Sequence, residues 1–226
     1  MMELLLDTVN LEQIEKFVAS MPIAGVTSNP SIIKQEGKID FFNHMKKIRE
    51  IIGFEKTLHV QVVATNYEGI LADAKAIKEK IDPEVYIKIP INDEGLHAIK
   101  TLKAEGYNIT GTAMYTKIQG LLAISAGADF IAPYFNRMEN QNIDSFDVLV
   151  AMSQEIERTQ AKTKILAASF KNIRQVTEAF EAGAQAATVG TDIVKTAFAM
   201  PSINQAVVDF NADWASIYGD VTIAEM

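Results

Sequence analysis

Val85-Tyr86-Ile87-Lys88-Ile89-Pro90 is a short run that alternates along its length. Val85, Ile87 and Ile89 fall on one face, suited to packing against outer helices, and Tyr86 and Lys88 fall on the other. Leu96, Ile99 and Leu102 follow at helical spacing. The stretch therefore reads as one strand-then-helix unit.

The same unit recurs outward in both directions. Strand-like runs are predicted near residues 4–7, 25–27, 58–63, 85–89, 109–112, 130–133, 164–168 and 187–189. Apolar stripes separate them, for example Leu11, Ile14, Phe17 and Val18, or Ile70, Leu71, Ala74, Ile77 and Ile81. Eight units at a spacing of roughly 20–30 residues favour an α/β fold of the closed (β/α)8 barrel type. An open doubly wound sheet is the alternative. The count of eight, and the lack of G-x-G-x-x-G after the first strand, argue against it.

At 226 residues the chain fits one barrel domain spanning 1–226. No linker or low-complexity tract marks a second domain. A last helix is expected over 202–218, where Ile203, Val207, Phe210, Trp214 and Ile217 recur at steps of four and three. That stripe could pack on its own barrel or reach a neighbouring subunit.

Hydrophobic residues make up 48% and charged residues 22%, enough for a core and a solvated surface. The formal charge of -8 argues against nucleic acid or an anionic membrane as partner. It leaves room for an anionic small molecule held by one local basic site. With no cysteine there is no disulfide or thiolate chemistry, and the three histidines show no metal-ligand spacing. The acidic start, Met1 to Asp7, does not resemble a signal peptide, and no apolar run approaches about 18 residues. A cytoplasmic protein is expected.

Catalytic groups of α/β barrels gather at the C-terminal ends of the strands. The polar residues there are Asp7, Thr27, Asn29, Gln61, Lys88, Thr112, Tyr134, Asn136, Arg137, Ser169 and Lys171. Lys88 stands out because it points inward. Burial of an amine favours its neutral form, the species that attacks a carbonyl to make a Schiff base. From position alone, Lys88 could equally be a structural cation paired with Asp7 or reaching the rim. Asp7 could be a general base or that ion partner. Thr27, Asn29 and Thr112 could simply satisfy turn backbone. Gln61 faces the interior, where an amide needs partners. Arg137 and Ser169 could bind phosphate or be solvated. Gly190-Thr191-Asp192 reads as a turn and helix cap, or as backbone amides added to an anion site.

These segments resemble the small transaldolase family, in its fructose-6-phosphate aldolase branch. The resemblance runs nearly end to end. It rests on Leu6-Asp7-Thr8, Gly25-Val26-Thr27-Ser28-Asn29-Pro30-Ser31, Gln61-Val62-Val63-Ala64-Thr65, Ile87-Lys88-Ile89-Pro90 with Glu94-Gly95-Leu96 and Ala98-Ile99-Lys100, Gly111-Thr112-Ala113, Ala132-Pro133-Tyr134-Phe135-Asn136-Arg137 and Ala167-Ala168-Ser169-Phe170-Lys171.

The resemblance implies that Lys88 forms the Schiff base and that Asp7 is the acid/base carboxylate. It implies that Asn29 and Thr27 orient substrate hydroxyls, that Thr112, Gln61 and Tyr134 hold a catalytic water, and that Arg137 and Ser169 clamp phosphate, with Asn136 and Lys171 beside them. It implies no metal or organic cofactor, a sugar-phosphate substrate, and a homo-oligomer, pentameric or decameric, with the last helix exchanged between neighbours. Gln61 and Tyr134 are similar to the aldolase members, where transaldolases proper resemble a pattern with Glu and Phe. A tyrosine hydroxyl adds a proton donor that phenylalanine lacks. Ser28 departs from a threonine common in the motif. Val189-Gly190 departs from a proline-containing turn, which bears on the phosphate side.

Overall fold

In the computed structural model, which describes residues 2–226, eight parallel strands close into a barrel in the order of the chain. The elements run β1 (Glu3–Asp7), α1 (Leu11–Ser20), β2 (Ile23–Thr27), α2 (Pro30–Glu36), α3 (Phe41–Ile52), β3 (Thr57–Gln61), α4 (Tyr67–Lys80), β4 (Tyr86–Pro90), α5 (Asp93–Ala104) and β5 (Asn108–Met114). They continue with α6 (Lys117–Ser125), β6 (Phe130–Pro133), α7 (Phe135–Glu139), α8 (Ser145–Thr159), β7 (Lys164–Ala167), α9 (Ile173–Glu181), β8 (Ala186–Val189), α10 (Thr191–Phe198) and α11 (Pro201–Tyr218). The expected (β/α)8 barrel and all eight expected strands are present, with ends displaced by one or two residues.

Alternation along each strand divides the apolar residues between two cores. Leu6, Leu58, Val60, Ile87, Ile89 and Ile131 face outward into a continuous layer shared with the helices, where Ile14, Phe17, Ile77, Ile99 and Leu102 meet them. Inside the barrel, Leu5, Phe130, Leu166 and Ala186 form a separate small cluster. A buried aliphatic or aromatic side chain contributes about 1.5–3 kcal/mol, so the outer layer dominates stability.

The strand-to-helix turns are set by capping. Asn10, Asn29, Asp40, Asn66, Asn92, Asp144 and Asn172 each accept a hydrogen bond from the first turn of the helix that follows. Such a cap contributes about 1 kcal/mol and fixes where the chain leaves the barrel rim. Gly95 matters for the same reason. A Cβ there would lie 1.9 Å from the carbonyl oxygen of Pro90, so only glycine lets α5 turn back directly behind the strand that carries Lys88.

Two features were not expected from periodicity. Two helices, α2 and α3, occupy the connection after β2, and the short α7 follows β6. The last helix spans Pro201–Tyr218, close to the expected bounds, but none of its residues is buried. Phe210 and Ile217 are 70% and 73% exposed. Trp214 stacks on Tyr218 and donates to the carbonyl of Val221, so its contacts stay within the tail. Packing on its own barrel, one of the two expected outcomes, is not what the structure displays.

Candidate active site

The inward positions just above the apolar plug are polar. Lys88 sits on β4 with only 1% of its surface exposed, paired in register with Gln61 on β3 and Thr110 on β5. Its Nζ donates one long hydrogen bond, 3.5 Å, to the backbone carbonyl of Ser28. Among the described residues no close salt bridge involves Lys88, although its charge lies near enough to act on the Asp7 carboxyl. A buried amine so sparsely bonded has donor capacity left for a ligand.

Asp7 ends β1 on the same inner face. Thr27 donates to it at 2.6 Å, and Thr188 lies 2.6 Å from the same threonine oxygen. Thr27 has one proton and gives it to the carboxylate, so Thr188 must donate to Thr27. Burial pushes the Asp7 carboxyl above its ordinary value. The nearby Lys88 charge, the Thr27 hydrogen bond and, more weakly, Arg137 partly offset that rise. A carboxyl that holds its proton more readily than usual suits acid/base work.

Across the mouth, Thr112 donates to the hydroxyl of Tyr134 at 3.1 Å. With the threonine donating, the phenol keeps its own O–H for another acceptor. The Arg137 guanidinium lies 4.5 Å from the Tyr134 ring centroid, which places a cation beside the phenol. Gln61 brings a buried Oε1 that has no hydrogen-bond partner. An orphaned buried acceptor is costly and is expected where a ligand or water completes the site.

Backbone strain collects here too. Ala113 and Ser169 are two of the four non-glycine residues with positive φ, at 57° and 64°. Ala113 lies within the irregular register between Gly111 and Met114 that follows Thr112. The carbonyl of Ser169 accepts from the N–H of Asn136, tying the ends of β6 and β7 together. Unfavourable backbone of this kind concentrates at functional sites.

Other expected residues are less available. The Asn29 carbonyl is taken up by capping α2, accepting from Ser31 at 2.9 Å and Ile32 at 3.1 Å, which leaves its NH2. The Asn136 carbonyl accepts from Gln175 at 3.1 Å. Arg137 and Lys171 are exposed at the rim, and Lys171 is held through its backbone N–H by Gln175 at 2.8 Å. The start of α10 does not form the open anion site its sequence allowed. Gly190 caps it without a side-chain bond, and the Asp192 carboxylate folds to within 2.5 Å of where a Gly190 Cβ would lie. A carboxylate at that helix end repels phosphate.

Sequence reasoning did not single out Thr188, Thr110 or the carbonyl of Ser28. The inward phase of β8 would have flagged Thr188, since Ala186 shares its face. A 740 Å³ cavity between α7, α8 and α9 carries Glu139, Asp144, Glu178 and Glu181, and its one arginine, Arg174, is paired with Glu178, a poor lining for an anion. A smaller 320 Å³ cleft opens beside Gln61 and Pro90, at the strand ends.

The family described as Transaldolase/Fructose-6-phosphate aldolase matches residues 4–222. The chain belongs to this family. A probable fructose-6-phosphate aldolase from Streptococcus pneumoniae is 54% identical over 222 residues, covering 98% of this chain and all of that protein. Among solved structures, inosine 5' monophosphate dehydrogenase from Legionella pneumophila superposes with a TM-score of 0.58 at 13% identity, over 84% of this chain and 58% of that one. That likeness speaks for the barrel alone. No helix among the described residues is long and apolar enough to cross a membrane.

Proposed function

We propose that this protein is a Schiff-base aldolase that reversibly cleaves fructose 6-phosphate to dihydroxyacetone and glyceraldehyde 3-phosphate. The observation that carries the reading is Lys88, a buried lysine at the barrel mouth with one long hydrogen bond and no close salt bridge. A structural lysine would be paired, because an unpaired buried cation is expensive.

The neutral amine adds to C2 of the open-chain ketose, and the carbinolamine loses water to give an iminium. A base takes the C4 hydroxyl proton, the C3–C4 bond breaks, and its electron pair moves through C2 to the iminium nitrogen. Glyceraldehyde 3-phosphate leaves and an enamine remains. Protonation at C3 regenerates the iminium. Water then adds at C2, dihydroxyacetone leaves and Lys88 is free again. The raised Asp7 carboxyl and the Tyr134 hydroxyl are the groups suited to move these protons, directly or through a water bridging Thr112, Tyr134 and Gln61. The imine serves as the electron sink, so the cycle calls on no metal or organic cofactor. Arg137, Ser169 and Lys171 serve the phosphate, with Thr27, Asn29 and Asn136 toward the sugar hydroxyls.

The rival within the family is a transaldolase, which keeps the enamine until an acceptor aldehyde arrives. The free O–H of Tyr134 beside the site supports protonation and release. Incubation with fructose 6-phosphate alone tests this. Steady triose phosphate release without erythrose 4-phosphate is expected, and strict dependence on the acceptor would sink the aldolase reading.

The same proposal extends to assembly and setting. The exposed stripe of α11, with Val207, Phe210 and Ile217, serves as a contact with a second copy of this chain in a pentameric or decameric homo-oligomer of the cytoplasm. Truncation after Ser202 is expected to lower the assembly mass seen by light scattering, and an unchanged mass would refute the helix's role.

A further inference from the structure

His59 is a buried titratable group that the proposed cycle leaves unused. It is 0% exposed, on β3, two residues below Gln61 on the inner face. Both ring nitrogens are bonded. Nδ1 lies 2.7 Å from the Thr110 hydroxyl and Nε2 lies 2.9 Å from the Thr57 hydroxyl. The ring stacks on Tyr86 at 4.7 Å and meets the edge of Phe130 at 5.0 Å. It is therefore gripped on four sides.

The direction of the Thr110 bond is the informative part. β3 and β5 are the two neighbours of β4. A side-chain bond from His59 on β3 to Thr110 on β5 has to cross β4. On β4 the inward residues are Tyr86, level in register with His59, and Lys88, level in register with Thr110. The bond thus runs between the Tyr86 ring and the stem of Lys88. Lys88 makes no other side-chain bond than the long one to Ser28. Its four methylenes carry high rotamer entropy, so something else has to hold them.

We propose that His59 is a positioning residue for the lysine: by reaching across β4 to Thr110 it fixes the lower stem of Lys88 and thereby the direction from which the amine meets a carbonyl. The inference rests on the reading of Lys88 as the imine-forming residue. The groups around the ring are consistent with a fixed, uncharged bar. β4 brings Tyr86 and Lys88, α3 brings the charge of Arg49, β2 brings Thr27 in register, and β5 and β6 bring Thr110 and Phe130. Burial foremost, then the Lys88 and Arg49 charges, hold the imidazole well below its usual value, so the bond does not switch as pH changes through neutrality. Either tautomer satisfies both nitrogens, because each hydroxyl can donate or accept.

The test uses the full chain with fructose 6-phosphate, borohydride quenching at short times and peptide mapping, on the unmodified protein, His59→Phe, Thr110→Val and the double variant. His59→Phe keeps an aromatic ring and removes the bonds to Thr110 and Thr57. The unmodified protein is expected to accumulate an adduct on Lys88. Each single variant is expected to form it about tenfold more slowly with KM within about twofold, since misplacement costs rate rather than affinity. The double variant is expected to be no slower than His59→Phe alone, because the His59–Thr110 bond that Thr110→Val removes is already absent there. Parental rates per folded molecule in both singles, or losses that multiply in the double, would overturn the positioning role while leaving the Lys88 reading intact. Should His59→Phe fail to fold, Thr110→Val decides alone, and an unchanged rate overturns the proposal. No adduct on Lys88 in the unmodified protein would remove the catalytic reading and the positioning role together.

Discussion

Below the level of Lys88 the barrel is filled by Leu5, Phe130, Leu166 and Ala186; at that level and above it by Asp7, Gln61, Lys88, Thr112 and Thr188. The two halves share strands. Leu5 and Asp7 are two residues apart on β1, Tyr86 and Lys88 on β4, Ala186 and Thr188 on β8. One pleat repeat, about 6.6 Å, separates a dry plug from a reactive mouth. The plug buries mostly apolar surface, and the polar group within it, His59, has both ring nitrogens satisfied by Thr57 and Thr110. The mouth keeps a desolvated carboxylate, an unpartnered amide oxygen and two residues in strained backbone. The lower half should therefore answer to mutation in stability and the upper half in activity.

The largest expected effect is Lys88→Met. Turnover should fall by about 10⁴-fold or more, because the imine cannot form, while the melting temperature holds or rises once the buried amine is gone. A variant that unfolds instead would make Lys88 structural and erase the distinction between the halves. Asp7→Asn comes next. Loss of the acid/base group should cost about 10²–10⁴-fold in kcat. The amide oxygen still accepts from Thr27, and the burial cost of the charge disappears, so thermal unfolding should not shift downward. A clear drop in melting temperature would show the carboxylate to be part of the framework.

Leu166→Ala reverses the pattern. Removing a fully buried plug side chain should cost about 2–5 kcal/mol in denaturant unfolding, with kcat per folded molecule within about twofold. A large kcat loss would mean that the plug shapes the mouth after all.

The smallest effect concerns pH. The folded state holds His59 well below its ordinary value of 6.5, so the unfolded chain takes up a proton that the folded chain refuses. Stability should therefore fall as pH drops below about 6.5. Asp7 works in the opposite sense, since its raised value lets the folded state keep a proton longer than the unfolded chain, and its contribution improves as pH falls toward 3.8. In His59→Phe the acid-side slope should flatten by about one proton. An unchanged slope would show that the ring does not carry this linkage.

The barrel was legible because eight short β-rich runs, alternating in phase most plainly in β3 and β4, are separated by helical stripes. The mouth was legible wherever a costly inward polar residue interrupts an apolar strand, as Lys88 and Gln61 do. Thr110 and Thr188 were not, since a threonine in a strand looks like an ordinary strand former until register shows what lies opposite. The positive φ of Ala113 leaves no mark in composition. The helix after Asn29 escaped notice because its seven residues, begun by proline, are too few for a periodic stripe. For the tail, periodicity gave the stripe of α11 and could not choose between its own barrel and another subunit.

Borohydride reduction of the protein mixed with fructose 6-phosphate, followed by peptide mass mapping, bears most directly on the central claim. The account predicts a reduced adduct on the peptide carrying Lys88 that is absent in Lys88→Met. An adduct on another lysine, or none between pH 6 and 9, would contradict it.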